Sequence, residues 1–192
     1  MNSWFIDLVV CPKCKQQFKS FGPGLKCSNC NNQYPIIGNI PRFVDLQEYE
    51  SFGFQWNRFA KTQIDLYSKS KQSERRFKSE TGYGNRIKDE IVLDIGCGSG
   101  RFADIALKEG AKVICMDLSS AVDACRKNLI DIGHSTKNFE VIQASIYSMP
   151  FNNVFNYAYS LGVIQHTPNR RKAISCISNV INKEWNPFIV GV

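Results

Sequence analysis

The sequence predicts an α/β protein with a small cysteine-rich module in front of a parallel sheet. A short apolar run at 91–95 leads directly into a glycine-rich turn, as expected where a buried parallel strand ends. From there apolar strands alternate with helical segments, which is typical of parallel βαβ units. Two pairs of closely spaced cysteines before residue 31 set the amino-terminal module apart. The 192 residues, 43% of them hydrophobic, suffice for one domain of moderate size and such a module.

The amino-terminal module, which we place at residues 1–45, carries two CxxC motifs with residues 15–26 between them. Each motif can turn so that two thiolates lie on one side, and two facing turns supply the four sulfurs of a closed zinc site. The intervening Phe21-Gly22-Pro23-Gly24 predicts a hairpin. A redox CxxC motif or two accidental pairs are the alternatives. We expect one structural Zn²⁺ to be bound by Cys11, Cys14, Cys27 and Cys30.

The other four cysteines lack the spacing of a metal site. Cys115 and Cys176 are interpreted as small core residues, the usual place of a free cysteine. Cys97 lies within the glycine-rich turn, and Cys125 lies in the helix predicted near 119–130. No histidine nearby makes any of them a convincing nucleophile, so we assign them no catalytic role.

The glycine-rich turn, Gly96-Cys97-Gly98-Ser99-Gly100, joins the strand at 91–95 to a helix predicted near 100–109. Strand, glycine turn and helix form the first half of a nucleotide-binding α/β unit. The strand predicted at 111–116 is followed by Asp117, which lies 21 residues after Gly96. At that distance a second-strand carboxylate can reach ribose hydroxyls.

The nucleotide is indicated by the charges around this turn. A dinucleotide fingerprint requires GxGxxG, whereas here the glycines follow GxGxG and Arg101 comes next. Asp94, an anion just before the turn, would repel a pyrophosphate. S-adenosylmethionine has no phosphate and carries an ammonium and a sulfonium, so Asp94 would attract it. The turn, Asp94 and Asp117 together predict an S-adenosylmethionine site.

At these residues the sequence resembles the class I S-adenosylmethionine-dependent methyltransferases, over VLDIGCGSGRFADIALKEGAKVICMDLS (92–119) and further at 143–151 and 156–168. The module ending in YPIIGNIP (34–41) is similar to the zinc-ribbon domain related to methyltransferase activator proteins. The resemblance implies a Rossmann-like sheet with about five strands in this chain, an incomplete form of the fold. Two further strands and a helix would be expected after residue 192. We expect strands near 91–95, 111–116, 138–143, 154–160 and 187–192, and helices near 100–109, 119–130 and 169–182.

The resemblance also implies a set of cofactor-binding residues. The methionine part would be held around the glycine-rich turn, and Asp117 would bind the ribose. The position after the third strand is often an acid that contacts adenine, but here it is Ser145, either a hydrogen-bonding substitute or a plain loop residue. The implied residues are Asp94, Gly96, Gly98, Gly100, Asp117 and Ser145.

A general base is needed only if the methyl acceptor must lose a proton, because the sulfonium is already a good leaving group. His166, on the loop after the fourth strand, is the candidate. The alternative is a loop histidine that caps backbone groups near Pro168. His134, in a Gly-His-Ser turn, is expected to be exposed and without a role.

Residues 46–90 are interpreted as a helical linker or lid in front of the domain at 91–192. FGFQWNRF (52–59) resembles a segment of bacterial enzymes that join such a ribbon to this catalytic domain. It would either cover the cofactor or pack its aromatic side chains on the core. The polar segment at 61–90 predicts a helix followed by a linker.

Charge and hydropathy exclude several other classes. The net charge of +7 is spread thinly, with Arg170-Arg171-Lys172 as its densest run, so charge alone does not predict a nucleic-acid binder. No apolar run approaches the ~18 residues of a membrane span, and the amino terminus does not look like a signal peptide, so we expect a cytoplasmic protein.

Two hypotheses for the function follow. The first is methyl transfer to a small molecule, sugar, RNA or protein. The second is a non-catalytic zinc-ribbon protein that binds a partner, or an inactive fragment of a methyltransferase. Because an apolar strand at 187–192 would lie at an uncovered sheet edge, a partner chain could complete the sheet there.

Overall fold

The structure is a computed structural model that describes residues 1–21, 23–45, 64–182 and 188–191. The predicted lid or packing helix at 52–59 lies outside these ranges. The amino-terminal elements are helix α1 (Ser3–Ile6) and strands β1 (Phe18–Phe21), β2 (Gly24–Cys27), β3 (Gln33–Ile37) and β4 (Ile40–Pro41). Helices α2 (Asp65–Ser68) and α3 (Gln72–Thr81) and a 3₁₀ turn at Gly84–Ile87 follow. The remaining elements are β5 (Ile91–Ile95), α4 (Arg101–Lys108), β6 (Lys112–Asp117), α5 (Ala121–Ile132), β7 (Phe139–Gln143), β8 (Tyr157–Leu161), a 3₁₀ turn at Ile164–His166, α6 (Arg170–Ser178) and β9 (Phe188–Gly191).

Two sheets organise these elements. Strands β1 to β4 form an antiparallel meander in sequence order, and the larger sheet is parallel with the order β7-β6-β5-β8-β9. The prediction of a five-stranded parallel sheet is therefore confirmed. In the larger sheet the first strand is the central strand β5. Strands β6 and β7 then follow on one side of it, and β8 and β9 lie on the other side. A crevice at the carboxyl ends of β5 and β8 is where open sheets of this kind bind ligands.

Two predicted boundaries are wrong in the same region. The fourth strand begins at Tyr157 instead of 154, and the last helix ends at Ser178 instead of 182. Backbone hydrogen bonds join the two segments to each other: Val154 N donates to Val180 O at 3.0 Å, and Asn182 N donates to Phe155 O at 2.8 Å. Because these hydrogen bonds replace a helical ladder, the helix stops and the strand begins later.

The amino-terminal module shares a core with the larger sheet. Phe5, Val9 and Leu25, all with 0% exposure, belong to the same apolar cluster as Leu93 and Ile142 of the parallel sheet. Backbone bridges join Val9 to Phe151 and Arg42 to Gln143, so the module packs on the β7 side of the sheet. Loss of structure in the module would therefore expose apolar surface of the larger sheet.

The cysteines outside the CxxC motifs differ in their surroundings. Cys115 is buried, as predicted for a core residue, and so are Cys97 and Cys125. Cys176 on α6 is half-buried and packs against the apolar cluster, so it lies at the margin of the core and not within it. In the described ranges, no helix combines the length and apolarity of a membrane span.

His134 is not the exposed, idle residue that the sequence predicts. Its side chain is 15% exposed, and its Nε2 lies 2.7 Å from Oδ1 of the buried Asp104. Lys108 Nζ donates to the other oxygen of Asp104 at 2.7 Å. Burial acts to raise the pKa of Asp104, but the hydrogen bonds from His134 and Lys108 outweigh it, and the pKa is lowered. The stabilisation by ionised Asp104 is therefore present above its unfolded pKa near 3.8 and is lost as the pH falls through the lowered value.

We expect His134→Ala to lower the free energy of unfolding by about 1–3 kcal/mol, because the buried Asp104 carboxylate loses one of its two partners. His166→Ala is the matched control, since His166 is exposed and substitutions at exposed positions usually change stability by less than about 0.5 kcal/mol. Denaturant unfolding of both variants at neutral pH measures the difference. Equal losses would contradict a structural role for His134.

Candidate functional site

The glycine-rich turn between β5 and α4 adopts a conformation that requires its glycines. Gly96, Gly98 and Gly100 have φ angles of +79°, +51° and +88°, in the left-handed region. The backbone N–H groups of Gly96 and Cys97 both donate to Met116 O, at 2.7 and 3.0 Å, which fixes the turn against β6. The turn thus lies at the carboxyl ends of β5 and β6.

Gly96 also lies against the loop after β8. A Cβ atom at Gly96 would come within 2.4 Å of Val163 Cγ2, so this loop and the turn touch directly.

We expect Gly96→Ala to lower the free energy of unfolding by about 2–5 kcal/mol, combining left-handed strain with overpacking. Gly133→Ala is the control, because Gly133 has a φ of +104° but no atom within 4 Å of its Cβ position. Denaturant unfolding should show a loss of only about 1–2 kcal/mol for the control. A loss as large as that of Gly96→Ala would rule out the contact with Val163 as its cause.

Asp94, near the end of β5, carries a buried carboxylate. The residue is 2% exposed, and among the described residues its Oδ2 has no hydrogen-bond partner. Burial, with a further contribution from nearby Cys125 and Asp117, raises the pKa of Asp94 well above its usual value. A buried carboxylate with an unsatisfied oxygen is costly, so this site favours a ligand that brings a positive charge or N–H donors.

Further unpartnered oxygens surround the same crevice. In the described ranges, buried side-chain oxygens without a partner include Ser99 Oγ in the glycine-rich turn, Gln165 Oε1 in the loop after β8, and Glu80 Oε2 on α3. Buried polar atoms in folded proteins are nearly always hydrogen-bonded. A group of unsatisfied oxygens at one sheet edge therefore marks a site for a polar ligand.

Asp117, at the end of β6, already supports the glycine-rich turn. Its Oδ2 accepts from Gly98 N at 2.9 Å, and its Oδ1 accepts from the N–H and hydroxyl of Ser119 at 2.9 and 2.8 Å. A carboxylate has about four acceptor positions, so capacity remains for a ribose hydroxyl. The sequence places Asp117 at the site, and the structure adds its contact with Gly98.

Ser145 and His166 lie on the loops after β7 and β8. Ser145 Oγ accepts from Tyr147 N at 3.2 Å, which is the bond of a turn-forming serine. His166 is exposed at the end of a 3₁₀ turn, and its backbone N donates to Val163 O at 2.9 Å. Both residues thus lie on loops at the carboxyl edge of the sheet, the edge that also carries the glycine-rich turn.

Helix α3 adds two charged residues that the sequence did not single out. A Cβ atom at Gly162 would lie 3.7 Å from Arg76 Nη2 and 4.0 Å from Gln165 Nε2. Arg76 Nε donates to Glu80 Oε1 at 2.6 Å, and Glu80 in turn lies over Gly191 at the end of β9. No motif predicts this arrangement, because α3 reaches the crevice only through tertiary packing.

The four cysteines of the two CxxC motifs converge on one point. The Sγ atoms of Cys11 and Cys30, Cys14 and Cys27, and Cys14 and Cys30 are 3.6, 3.4 and 3.5 Å apart. All four sulfurs lie within 4.8 Å of one another. Zinc–sulfur bonds of about 2.3 Å in a tetrahedron give sulfur–sulfur distances of about 3.8 Å, close to these values. The donor set and its spacing therefore fit one Zn²⁺ ion.

Several groups around this cluster donate to its sulfurs. Asn32 Nδ2 donates to Cys30 Sγ at 2.9 Å, and Asn29 N donates to Cys27 Sγ at 3.4 Å. The Asn32 amide is the main reason that the pKa of Cys30 is lowered to about 6. Such donors stabilise thiolates and orient metal ligands. Asn32 was not identified from sequence, although it lies only two residues after the second CxxC motif.

Solved structures share the fold of the parallel sheet and its helices. A proposed S-adenosyl-L-methionine-dependent methyltransferase from Methanococcus maripaludis matches with a TM-score of 0.55 at 16% identity, over 69% of this chain and 59% of that one. A proposed methyltransferase from Bacillus halodurans matches with a TM-score of 0.51 at 24% identity, over 57% and 47% of the two chains. At these identities the comparison establishes the fold, which is that of the class I methyltransferases.

Residues 93–184 match the family model described as a methyltransferase domain. The matched stretch begins within β5 and extends beyond α6, just under half of the chain. Curated relatives include a ubiquinone biosynthesis O-methyltransferase from Thiobacillus denitrificans, 28% identical over 47% of this chain and 39% of its own length. Protein arginine N-methyltransferase 1 of Saccharomyces cerevisiae is 36% identical over 35% and 20%. The chain thus spans well under half the length of either relative.

Proposed function

We propose that this protein transfers the methyl group of S-adenosylmethionine to an acceptor bound at the carboxyl ends of β5 and β8. The observation that supports this proposal most is the buried Asp94 carboxylate, whose Oδ2 has no partner among the described residues. The ammonium of S-adenosylmethionine carries the charge and the donors that such a carboxylate needs. The methyltransferase-domain match over residues 93–184 points to the same ligand.

The residues have separate tasks in this proposal. Asp94 and the glycine-rich turn of Gly96, Gly98 and Gly100 hold the methionine part, since a backbone without Cβ atoms permits close approach. Asp117 accepts from the ribose hydroxyls while it holds Gly98 in place. The bound cofactor supplies an electrophilic methyl group, and the surrounding residues orient it toward the acceptor.

The adenine and acceptor sides depend on the two loops. Ser145 lies next to the end of β7 and would hydrogen-bond adenine through its hydroxyl. His166 would take a proton from the acceptor where methylation requires its loss. Arg76 and Glu80, which lie over the ends of β8 and β9, would line the acceptor side.

The amino-terminal residues 1–45 form a zinc ribbon in this proposal, with Zn²⁺ held by the four cysteines of the CxxC motifs. Closed four-sulfur sites are structural, because no position is left for substrate. Residues 46–90 then connect the ribbon to the S-adenosylmethionine-binding domain at 91–192.

Calorimetric titration of the zinc-loaded chain with S-adenosylmethionine and S-adenosylhomocysteine tests the proposal. We expect one site per chain that binds both compounds. Incubation with S-[methyl-³H]adenosylmethionine and fractions of small molecules, proteins and RNA then identifies the acceptor class by the label. Absence of binding would refute the proposal, and binding without transfer to any fraction would favour a partner-binding role.

A further inference from the structure

We infer that the zinc ribbon holds the ribose-binding loop of the cofactor site in position through Arg42 and Gln143, so that zinc and S-adenosylmethionine strengthen each other's binding. This inference rests on the proposed function. It concerns residues outside the predicted cofactor and zinc ligands, and it makes Arg42 and Gln143 positioning residues that act through the loop at 117–119.

The first link is a buried arginine between the two sheets. Arg42 is 3% exposed, and its Nη1 donates to Gln143 Oε1 at 3.0 Å. Its Nη2 pairs with Asp123 Oδ1 on α5 at 2.6 Å. The next backbone N–H, that of Phe43, donates to Gln143 O at 2.7 Å. The ribbon is therefore hydrogen-bonded to the carboxyl end of β7 through both a side chain and the backbone.

The second link runs from Gln143 to the cofactor site. Gln143 is 3% exposed, and its Nε2 donates to Leu118 O at 3.0 Å. Leu118 lies between Asp117 and Ser119, the pair whose hydrogen bond shapes this loop. Asp117 in turn accepts from Gly98 N in the glycine-rich turn. Hydrogen bonds on both sides of the backbone segment 117–119 thus connect Arg42 to the residues proposed to bind ribose and methionine.

The third link joins Arg42 to the zinc cluster. Arg42 N donates to Pro35 O at 2.9 Å, so the arginine is held by the strand β3. The preceding residue on β3, Tyr34, places its hydroxyl 3.6 Å from Cys11 Sγ. In small zinc modules metal binding is folding, because the ligands do not assemble without the ion. In this inference zinc stabilises the ordered form of the ribbon, and that form presents Arg42 to Gln143.

Thermodynamic linkage makes this coupling reciprocal. If zinc raises the affinity for S-adenosylmethionine by some factor, S-adenosylmethionine must raise the affinity for zinc by the same factor. Couplings between separate sites are commonly about 5–150-fold. We expect a factor of about ten, since the series contains a few buried hydrogen bonds and ends at residues proposed to bind the ligand.

The experiment measures both sides of this linkage. S-adenosylmethionine affinity is determined by calorimetry with zinc bound and after removal by a chelator, and zinc affinity is determined by competition with a chromogenic chelator, with and without saturating S-adenosylmethionine. We expect about a tenfold change in each. If the zinc-free chain does not stay folded, the zinc affinity alone still reports the factor.

Gln143→Met and Arg42→Met test whether the coupling between zinc and S-adenosylmethionine depends on these two side chains. Gln143→Met keeps a similar shape, removes the bond to Leu118, and should bring the coupling factor close to one while the chain still takes up zinc. Arg42→Met should have the same effect, and Arg126→Met on α5 is the control that keeps the full factor. A coupling factor of one in the unmodified protein, or an unchanged factor in Gln143→Met, would overturn the inference. Absence of S-adenosylmethionine binding in every form would instead refute the proposed function.

Discussion

Asp94→Asn is expected to weaken S-adenosylmethionine binding by at least about 10- to 100-fold while it stabilises the ligand-free chain. A hydrogen bond to a charged group contributes about 1.5–3 kcal/mol, which the neutral amide would largely lose. In the ligand-free chain the same substitution removes a buried carboxylate that has one unsatisfied oxygen, and the free energy of unfolding should rise by about 1 kcal/mol. Calorimetric titration and denaturant unfolding measure these two opposite effects.

The pH dependence should follow from the raised pKa of Asp94. Because burial raises this pKa, the folded state binds a proton more tightly than the unfolded state. Asp94 therefore makes stability fall as the pH rises above its unfolded value near 3.8, until the raised value is passed. Binding of the cationic ligand requires ionised Asp94, so affinity should increase with pH over that range, with proton release. Both trends should be absent in Asp94→Asn.

Asp104→Asn is the matched control for Asp94→Asn, because Asp104 is also buried but has two cationic or N–H partners. We expect it to lose stability and to keep its affinity for S-adenosylmethionine. If Asp94→Asn bound the ligand as tightly as the unmodified protein, the assignment of the glycine-rich turn and Asp94 to the methionine part would be refuted.

Zinc removal is the second large effect that we expect. Structural zinc contributes about 10–16 kcal/mol of apparent folding free energy in small peptides near neutral pH. Here the ribbon shares its core with the parallel sheet through Phe5, Val9 and Leu25, so its unfolding should lower the melting temperature of the whole chain. Elemental analysis should find one zinc per chain, and chelation should make four further thiols reactive toward a disulfide reagent.

Cys30→Ser should lose the bound zinc and most of this stability, because a hydroxyl replaces a thiolate ligand. Cys176→Ser is the control, since Cys176 is a half-buried cysteine outside the cluster. It should keep one zinc per chain and a melting temperature near that of the unmodified protein. A zinc content well below one per chain in the unmodified protein would reject the four-cysteine site.

The local patterns of the sequence were informative where neighbouring residues alone determine the conformation. The run at 91–95 predicts β5 with its observed bounds, and the glycines after it predict the turn that follows. The CxxC motifs predict a four-sulfur cluster, because each motif brings its own two thiols together. The sequence was least informative at 154–160 and 169–182, where hydrogen bonds between distant segments decide the boundaries.

The sequence by itself thus determined the fold class, the two groups of cysteines, and the turn with Asp94 and Asp117 beside it, since these follow from spacings of a few residues. Only the tertiary structure decided that His134 holds Asp104, that Arg76 and Glu80 reach the crevice, and that Arg42 joins the ribbon to Gln143. The physical reason is that these contacts join elements far apart in the chain. They form because apolar faces of distant elements pack together. Polar side chains next to those faces are buried at the same time, and buried polar groups are stable only when they are hydrogen-bonded.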